Sequence, residues 1–365
     1  MRFVLDARTV TPHFPGIGRY TFELARALAA ITDLTLLVNP YESSKELDLW
    51  SIPARRIAVP HGPRSLAQQW VVPARLRRFR ASVYHSPFYL MPYWPACPTV
   101  VTAYDVIALV EREGYTSRQR QLYRLTHQFA FNAARHILTL SEAARADFIQ
   151  HFNLPESKIS AIPPGLAAHF TPPAPNADAV AAIRQTYGLP GEYLLNVGIN
   201  KPHKNLPRLI RAYATLPASA PPLVIVGPED ARFPETRAAA APVKERVIFL
   251  GRVPDEHLPL LYGGAWLYLQ PTLLEGFGFP VLEAMGCGAP VVCSDIPALR
   301  ELAANAALYF DPRWEDSIAQ TILEALDNTP LRTALAERGL LRARHYTWEH
   351  TAEQMLKIYQ RVTER

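Results

Sequence analysis

Short apolar runs alternate with helix-period segments twice along this chain. A proline-rich stretch at 162–178, IPPGLAAHFTPPAPNAD, separates the two series. Such alternation points to parallel strands, because a parallel pair needs a long crossover, and the crossover helices then cover both faces of the sheet. In the first series the strand candidates are 3–7, 34–38, 57–60, 82–85, 99–103 and 136–140, with helical periodicity over 18–30, 118–134 and 142–152. In the second they are 193–197, 222–226, 247–250, 266–270, 290–294 and 307–310, with helices between them and further helices from about 318 to 365. The fold expected is α/β, with two Rossmann-like, doubly wound domains, 1–168 and 169–345. Proline clusters without periodicity have linker composition, so 162–178 reads as a hinge. At 365 residues the chain is also longer than one core usually organises. Ligands of doubly wound sheets bind at the carboxyl ends of the strands, which makes a cleft between the two domains the expected site.

Composition narrows the class. A hydrophobic fraction of 49% is that of a globular protein, and no apolar run reaches the ~18–20 residues that cross a bilayer. The start, MRFVLDAR, has no long apolar stretch with a small-residue cleavage site. Cys97, Cys287 and Cys293 form no metal-type pair, and reduced thiols in a cytoplasm are the simplest reading. The net charge of +5 includes Arg75, Arg77, Arg78 and Arg80. That group reads as a solvated helix face or as a peripheral contact with an anionic membrane at its inner face. No nucleic-acid module surrounds it, so nucleic acid is not an expected partner.

The stretch EGFGFPVLEAMGCGAPVV, 275–292, carries the chemistry. With a strand over 266–270, residues 271–278 form the loop at its carboxyl end. Pro280 suits the first turn of a helix that stops near Gly286 or Gly288. Glu275 then lies on the loop and Glu283 on the helix. Residues 279–282 would present free N–H groups and a positive dipole end to a phosphate or diphosphate. Gly276 and Gly278 let the backbone approach a ligand. A carboxylate accepts two hydrogen bonds and vicinal sugar hydroxyls offer two donors, so one acid on each side of a diphosphate fits a nucleotide-sugar. Paired glycosidase carboxylates would instead flank one bond, ~5–9.5 Å apart.

Two more elements join it. In NVGINKPHKNLPRL, 196–209, Lys204 stands just before a helix start at the same sheet edge. In TPHFPGIGRYTFEL, 11–24, Gly16 and Gly18 can bring a helix start close to a ligand. The dinucleotide fingerprint is not met there, because Thr21 occupies its last position. His85, Ser86, Tyr104 and Asp105 fall at or beyond strand ends of the first unit and are acceptor-side candidates, with Arg19 beside the glycine loop. No Asp-x-Asp pair and no His/Cys/Glu cluster points to a metal, so no metal and no cofactor is expected.

Taken together, the two Rossmann-like units, Gly16–Gly18, Lys204 and the Glu275–Glu283 spacing resemble the retaining GT-B glycosyltransferases of family GT4. Residues 251–295 are the specific part, and the start is similar to the mannosyltransferase-like branch. The resemblance implies roles. Glu275 would contact hydroxyls of the donor sugar and Glu283 the donor ribose. Backbone at Phe277, Gly278 and Phe279, with Val281 and Leu282, would hold sugar and phosphate. Lys204 would neutralise the diphosphate, Gly16 would abut the donor phosphates, and main chain near Val253 would read the base. The last helix, about 346–365, would pack back on the first domain. The chain departs from the family pattern at Ile199, where arginine is common, at His203, where a second charge often stands, and at Tyr104, where histidine usually precedes the aspartate. One basic group fewer would meet the diphosphate unless Lys201 or His203 replaces it.

The function expected is sugar transfer from a nucleotide-diphospho-sugar to a hydroxyl of a glycan or lipid-linked acceptor, with retention and without metal, in cell-surface polysaccharide or glycolipid assembly. GDP-mannose is the preferred donor and a UDP-sugar the alternative. Catalysis would rest on positioning and on charge stabilisation of the leaving diphosphate, with Asp105 orienting or deprotonating the acceptor. The alternatives are a non-catalytic nucleotide-binding protein and a nucleotide-sugar epimerase on the same fold. A phosphorylase would need a pyridoxal lysine and a nicotinamide oxidoreductase an intact glycine fingerprint.

Overall fold

The structure is a computed structural model that describes residues 1–42, 44, 46–173 and 178–364. Residues 174–177 of the proline-rich stretch lie outside the described residues. By its contacts the chain divides into Met1–Gly165 with Tyr346–Arg365, and Leu166–His345.

The first unit holds strands β1 (Phe3–Asp6), β2 (Leu34–Val38), β3 (Arg55–Ala58), β4 (Val83–Ser86), β5 (Thr99–Thr102), β6 (His136–Thr139) and β7 (Ile159–Ala161). They form one parallel sheet in the order β3-β2-β1-β4-β5-β6-β7. Residues of β1, β2, β4, β5 and β6 are buried throughout, as strands covered on both faces must be. The short strand β7 was not anticipated. It carries little apolar pattern and is fixed by its ladder to β6.

The second unit holds β8 (Leu194–Val197), β9 (Leu223–Val226), β10 (Val247–Gly251), β11 (Leu267–Gln270), β12 (Val291–Ser294) and β13 (Ala307–Phe310). Their order is β10-β9-β8-β11-β12-β13, again parallel. In both sheets the chain builds outward from the first strand and then returns to its other side. The order reverses between β1 and β4 and between β8 and β11. Loops diverge at that point and leave a crevice at the strands' carboxyl ends.

Local chemistry sets the helix ends. Thr116 and Gln119 form a reciprocal capping box at the start of Ser117–Ala133, and Ser141 caps Glu142–Phe152. The final helix, Trp348–Glu364, packs on Pro15–Ile31 of the first unit. Thr351 Oγ1 donates to Pro163 O at 2.8 Å, and the Tyr359 ring lies 5.4 Å from that of Phe3.

The loop after β1 is pinned by a buried ion pair. Arg8 meets Asp6 at 2.5 Å and donates to Gln68 and to His61 O, while Tyr84 OH donates to Asp6 Oδ2 at 2.6 Å. The carboxylate holds the guanidinium charged against the cost of burial.

Candidate active site

In the second unit the two loops at the strand-order reversal are 198–205, after β8, and 271–278, after β11. The sequence separates them by some 70 residues, but the sheet makes them neighbours. Cross-bonds tie them together. His203 O accepts from Leu273 N (2.7 Å) and from Thr272 Oγ1 (2.9 Å), and Asn205 Nδ2 donates to Pro271 O (3.0 Å) and Pro312 O (2.8 Å). Asn205 adopts a left-handed backbone (φ 57°) that ends the short turn Pro202–Lys204 and starts the helix Leu206–Ala214. Lys204 is thereby aimed across the crevice, with Nζ 2.5 Å from Glu275 Oε1. Both side chains keep some access to solvent, 16% and 11%.

Glu275 has a second donor. Gln270, the last residue of β11, donates from Nε2 to the same Oε1 at 3.1 Å, and its side-chain amide oxygen Oε1 accepts from Tyr268 OH. Glu283, on the helix Phe279–Gly286, accepts from Tyr262 OH at 2.9 Å. The Tyr262 and Tyr268 rings meet edge to face at 5.3 Å. Burial pushes both phenols well up, and the negative charge of Glu283 adds to this, joined at Tyr268 by that of Glu275. Both therefore stay protonated donors. A continuous buried line, Tyr262–Tyr268–Gln270, thus runs between the two glutamates.

Gly278 makes the turn into the helix. Its φ is 108°, and a Cβ there would stand 2.5 Å from Leu299 Cδ2. Pro280 occupies the first turn, as the sequence predicts, and no side chain caps the helix. The expectation of free N–H groups at Val281 and Leu282 is corrected. Both donate to Gly278 O, at 3.0 and 3.2 Å, because the tight turn brings that carbonyl under them. Their side chains are core. Phe277 is buried against the half-exposed Phe279, ring centroids 5.2 Å apart, and Gly276 is partly exposed.

Among the remaining donor-side candidates, Ile199 is half-buried and its carbonyl accepts from Lys201 N at 2.8 Å. Val253, just beyond β10, is buried. His203 does not replace the missing cation. Burial, reinforced by the neighbouring Lys204 charge, pulls its pKa down to about 4, so its ring is neutral near pH 7. Of the two replacements considered, that leaves Lys201.

In the first unit, Gly16 opens the helix Pro15–Ile31 with nothing near its missing Cβ. Gly18 serves packing instead: a Cβ would stand 2.9 Å from Thr9 O, so glycine lets the helix lie on the 9–11 loop. Arg19 is half-buried in the same helix. His85 does not face open space, as expected of an acceptor-side group. It is buried, with Nδ1 2.6 Å from Tyr359 OH and Nε2 2.8 Å from Thr102 Oγ1, and burial lowers its pKa to about 3. Ser86 is likewise buried and donates to Phe88 O at 2.6 Å. The β4 side chains turn inward because that strand is central in its sheet. Tyr104 donates to Pro87 O at 2.9 Å and meets Tyr20 edge to face. Asp105 is half-exposed at the carboxyl end of β5. Its Oδ1 accepts from Ile107 N at 3.0 Å and its carbonyl from Tyr123 OH. Arg75, Arg77, Arg78 and Arg80 are exposed on and beside the helix Gln68–Phe79, whose Val72 and Leu76 enter the core.

Residues 15–169 match the family described as Glycosyltransferase Family 4, and residues 182–342 match Glycosyl transferases group 1. The chain is 30% identical over 385 residues to the O-antigen chain mannosyltransferase B of Escherichia coli, covering 98% of this chain and 99% of that one. The chain belongs to glycosyltransferase family 4. Its two-unit α/β architecture is the GT-B fold of that family. It is shared with the sucrose-phosphate synthase of Thermosynechococcus elongatus (TM-score 0.79, 20% identity, 99% of each chain) and with Anabaena Alr3699/HepE in complex with UDP and glucose (TM-score 0.79, 18% identity, 99% of each chain).

In this family 4 glycosyltransferase the sequence motifs locate Lys204, Glu275 and Glu283 but not what holds them. Gln270, Tyr268, Tyr262 and Asn205 escaped sequence reasoning. The one local signal was Gln270, a polar residue closing an apolar strand. No helix among the described residues is long and apolar enough to cross a membrane.

Proposed function

We propose that this glycosyltransferase moves a hexose, with retention at the anomeric carbon, from a nucleotide-diphospho-sugar to a hydroxyl of a growing surface glycan. The observation that carries the reading is the meeting of Lys204 and Glu275 across the crevice between β8 and β11. It puts a cation for a diphosphate and an acceptor for sugar hydroxyls at one point. Glu283, one helix turn beyond the Gly278 bend, is suited to the two hydroxyls of a ribose.

Lys204 carries the leaving-group charge in this reading, and Lys201 is the second cation in reach of the same loop. The dipole of the uncapped helix Phe279–Gly286 adds a field of the same sign. The donor's own phosphate oxygen takes the acceptor proton, so no enzyme nucleophile is required. Asp105 orients the acceptor hydroxyl. No metal is invoked, because Lys204 supplies the counter-charge. The donor preferred is GDP-mannose, on the strength of the relative named as an O-antigen chain mannosyltransferase, and the acceptor class is a lipid-linked or polysaccharide glycan. The exposed arginines beside Gln68–Phe79 suit an anionic membrane surface.

A thermal-shift screen over GDP-, UDP-, ADP- and TDP-sugars, followed by turnover with the stabilising donor, tests the reading. Stabilisation by a nucleotide-sugar and an α-linked product from an α-linked donor are expected. Inversion at the anomeric carbon, or activity abolished by chelation and restored by Mg²⁺, would overturn the corresponding part.

A further inference from the structure

Tyr262 is fully buried in the core of the second unit, yet it ends in a hydroxyl. Packing needs only its ring, which meets Tyr268 at 5.3 Å and Phe170 at 6.1 Å. A phenylalanine would fill the same volume with no polar atom to desolvate. Among the described residues the hydroxyl has one partner, Glu283 Oε2 at 2.9 Å. We propose that Tyr262 is a positioning residue for the donor: by holding Glu283 it sets the carboxylate that takes the ribose hydroxyls, and so makes the site selective for ribonucleotides. The inference rests on the reading above that Glu283 binds the donor ribose.

The first support is rigidity. Tyr262 belongs to the helix Leu258–Gly263, and the end of that helix is clamped. Tyr193 OH donates to Leu261 O at 2.8 Å, and Tyr262 O accepts from Ala265 N at 3.1 Å. Gly263 follows, where a Cβ would run into the Pro173 ring and stand 3.3 Å from Cys287 O. Glycine lets this helix end lie against the end of Phe279–Gly286, which carries Glu283. The hydroxyl is therefore fixed relative to the Glu283 backbone. Only the torsions of the glutamate side chain remain, and a hydrogen bond to Oε2 fixes them.

The second is chemistry. Vicinal ribose hydroxyls are two donors at a set spacing, and a carboxylate meets both only when its plane faces them. A phenol donating to a carboxylate makes a charge-assisted bond, stronger than a neutral one. Burial, with the Glu283 charge, pushes the Tyr262 phenol well up, so it stays a donor and adds no positive charge of its own.

The third is placement. Glu283 is the one polar side chain on its helix. It is half-buried, while Val281, Leu282, Ala284 and Met285 around it are core. Tyr268 has the matching place behind the other acid: its hydroxyl holds Gln270, which holds Glu275.

The test is calorimetric titration of the full chain with GDP, UDP and their 2′,3′-dideoxy analogues. The parent should bind the ribonucleotide of its preferred base about tenfold or more tighter than the dideoxy form, as hydrogen bonds to a charged group allow. Tyr262→Phe should bind the ribonucleotide about tenfold weaker and the dideoxy form like the parent, so the ratio collapses. It should also raise KM for the nucleotide-sugar more than it lowers kcat, because donor binding is what it loses. In Tyr262→Phe with Glu283→Ala, binding should be no weaker than in Glu283→Ala alone, since the tyrosine acts through the glutamate. Glu283→Asp keeps a carboxylate but withdraws it from the phenol, and it should lose the ratio as well. The inference falls if Tyr262→Phe keeps the parent's ratio, or if Glu283→Asp keeps it where the phenylalanine variant does not fold. It falls too if Tyr262→Phe weakens both forms alike, as a packing loss would, or if the double variant is weaker than Glu283→Ala. In those cases a parent that prefers the ribonucleotide leaves the ribose reading of Glu283 standing. A parent that binds both forms equally overturns that reading and the inference with it, and a parent that binds no nucleotide overturns the donor assignment as a whole.

Discussion

Lys204 and Glu275 form a 2.5 Å ion pair across the crevice where the second sheet reverses its strand order. In the function proposed, a donor diphosphate would draw on the same ammonium and rearrange the pair. Lys204→Ala should lower turnover by about 10²–10³, the usual cost of one group that stabilises developing charge. The partly open side chain makes the loss one of activity rather than folding. Circular dichroism and turnover on the same preparation check it, and full activity in Lys204→Ala would remove the lysine from the mechanism.

Gln270 holds Glu275 through its Nε2 donor. Gln270→Leu leaves Glu275 with Lys204 alone and strands the Tyr268 hydroxyl, which loses its acceptor. Turnover should fall about tenfold or more, with stability lower by about 1–3 kcal/mol from the buried O–H left without an acceptor. Gln270→Glu should be worse, because a second carboxylate would face Glu275. Affinity for nucleotide diphosphate should change little in Gln270→Leu. A large loss of nucleotide affinity there would argue against a positioning role confined to Glu275.

Gly278→Ala tests the turn into the helix. With φ at 108° and Leu299 in the way, the substitution should cost about 1–3 kcal/mol and displace the helix start. The expected result is a melting temperature lower by several degrees together with weaker nucleotide binding. An unchanged melting curve would show that the turn accommodates a side chain.

Acid should destabilise the fold through neutral buried histidines. His203 has its pKa drawn down to about 4, and His85 and His127 to about 3. In the unfolded chain each titrates near ~6.5. Between these values the unfolded state binds more protons, so stability is full above about pH 6.5 and declines as pH falls toward 4. Urea midpoints at pH 7 and pH 5 should show the drop, and His127→Phe should shallow it. Equal midpoints at the two pH values would contradict the burial assigned to these rings.

Much of this was legible locally. Alternating apolar runs fix strands and helices because a crossover between parallel strands requires them. Glycine and proline mark the loop at 271–278 and the start of the next helix because few other residues fit that backbone. Hence Glu275 and Glu283 could be placed on a loop and a helix from spacing alone. What the sequence could not decide is who stands beside whom. Lys204 meets Glu275 because β8 and β11 are neighbours, a consequence of strand order that no local pattern encodes. Gln270, Tyr262 and Tyr268 join the site for the same reason. Burial decided the histidines: His85 and His203 look alike as letters at strand or loop ends, yet desolvation makes both neutral and takes His85 away from any open surface. Charge and hydrogen bonding depend on the surrounding volume, and that volume exists only once the sheet has assembled.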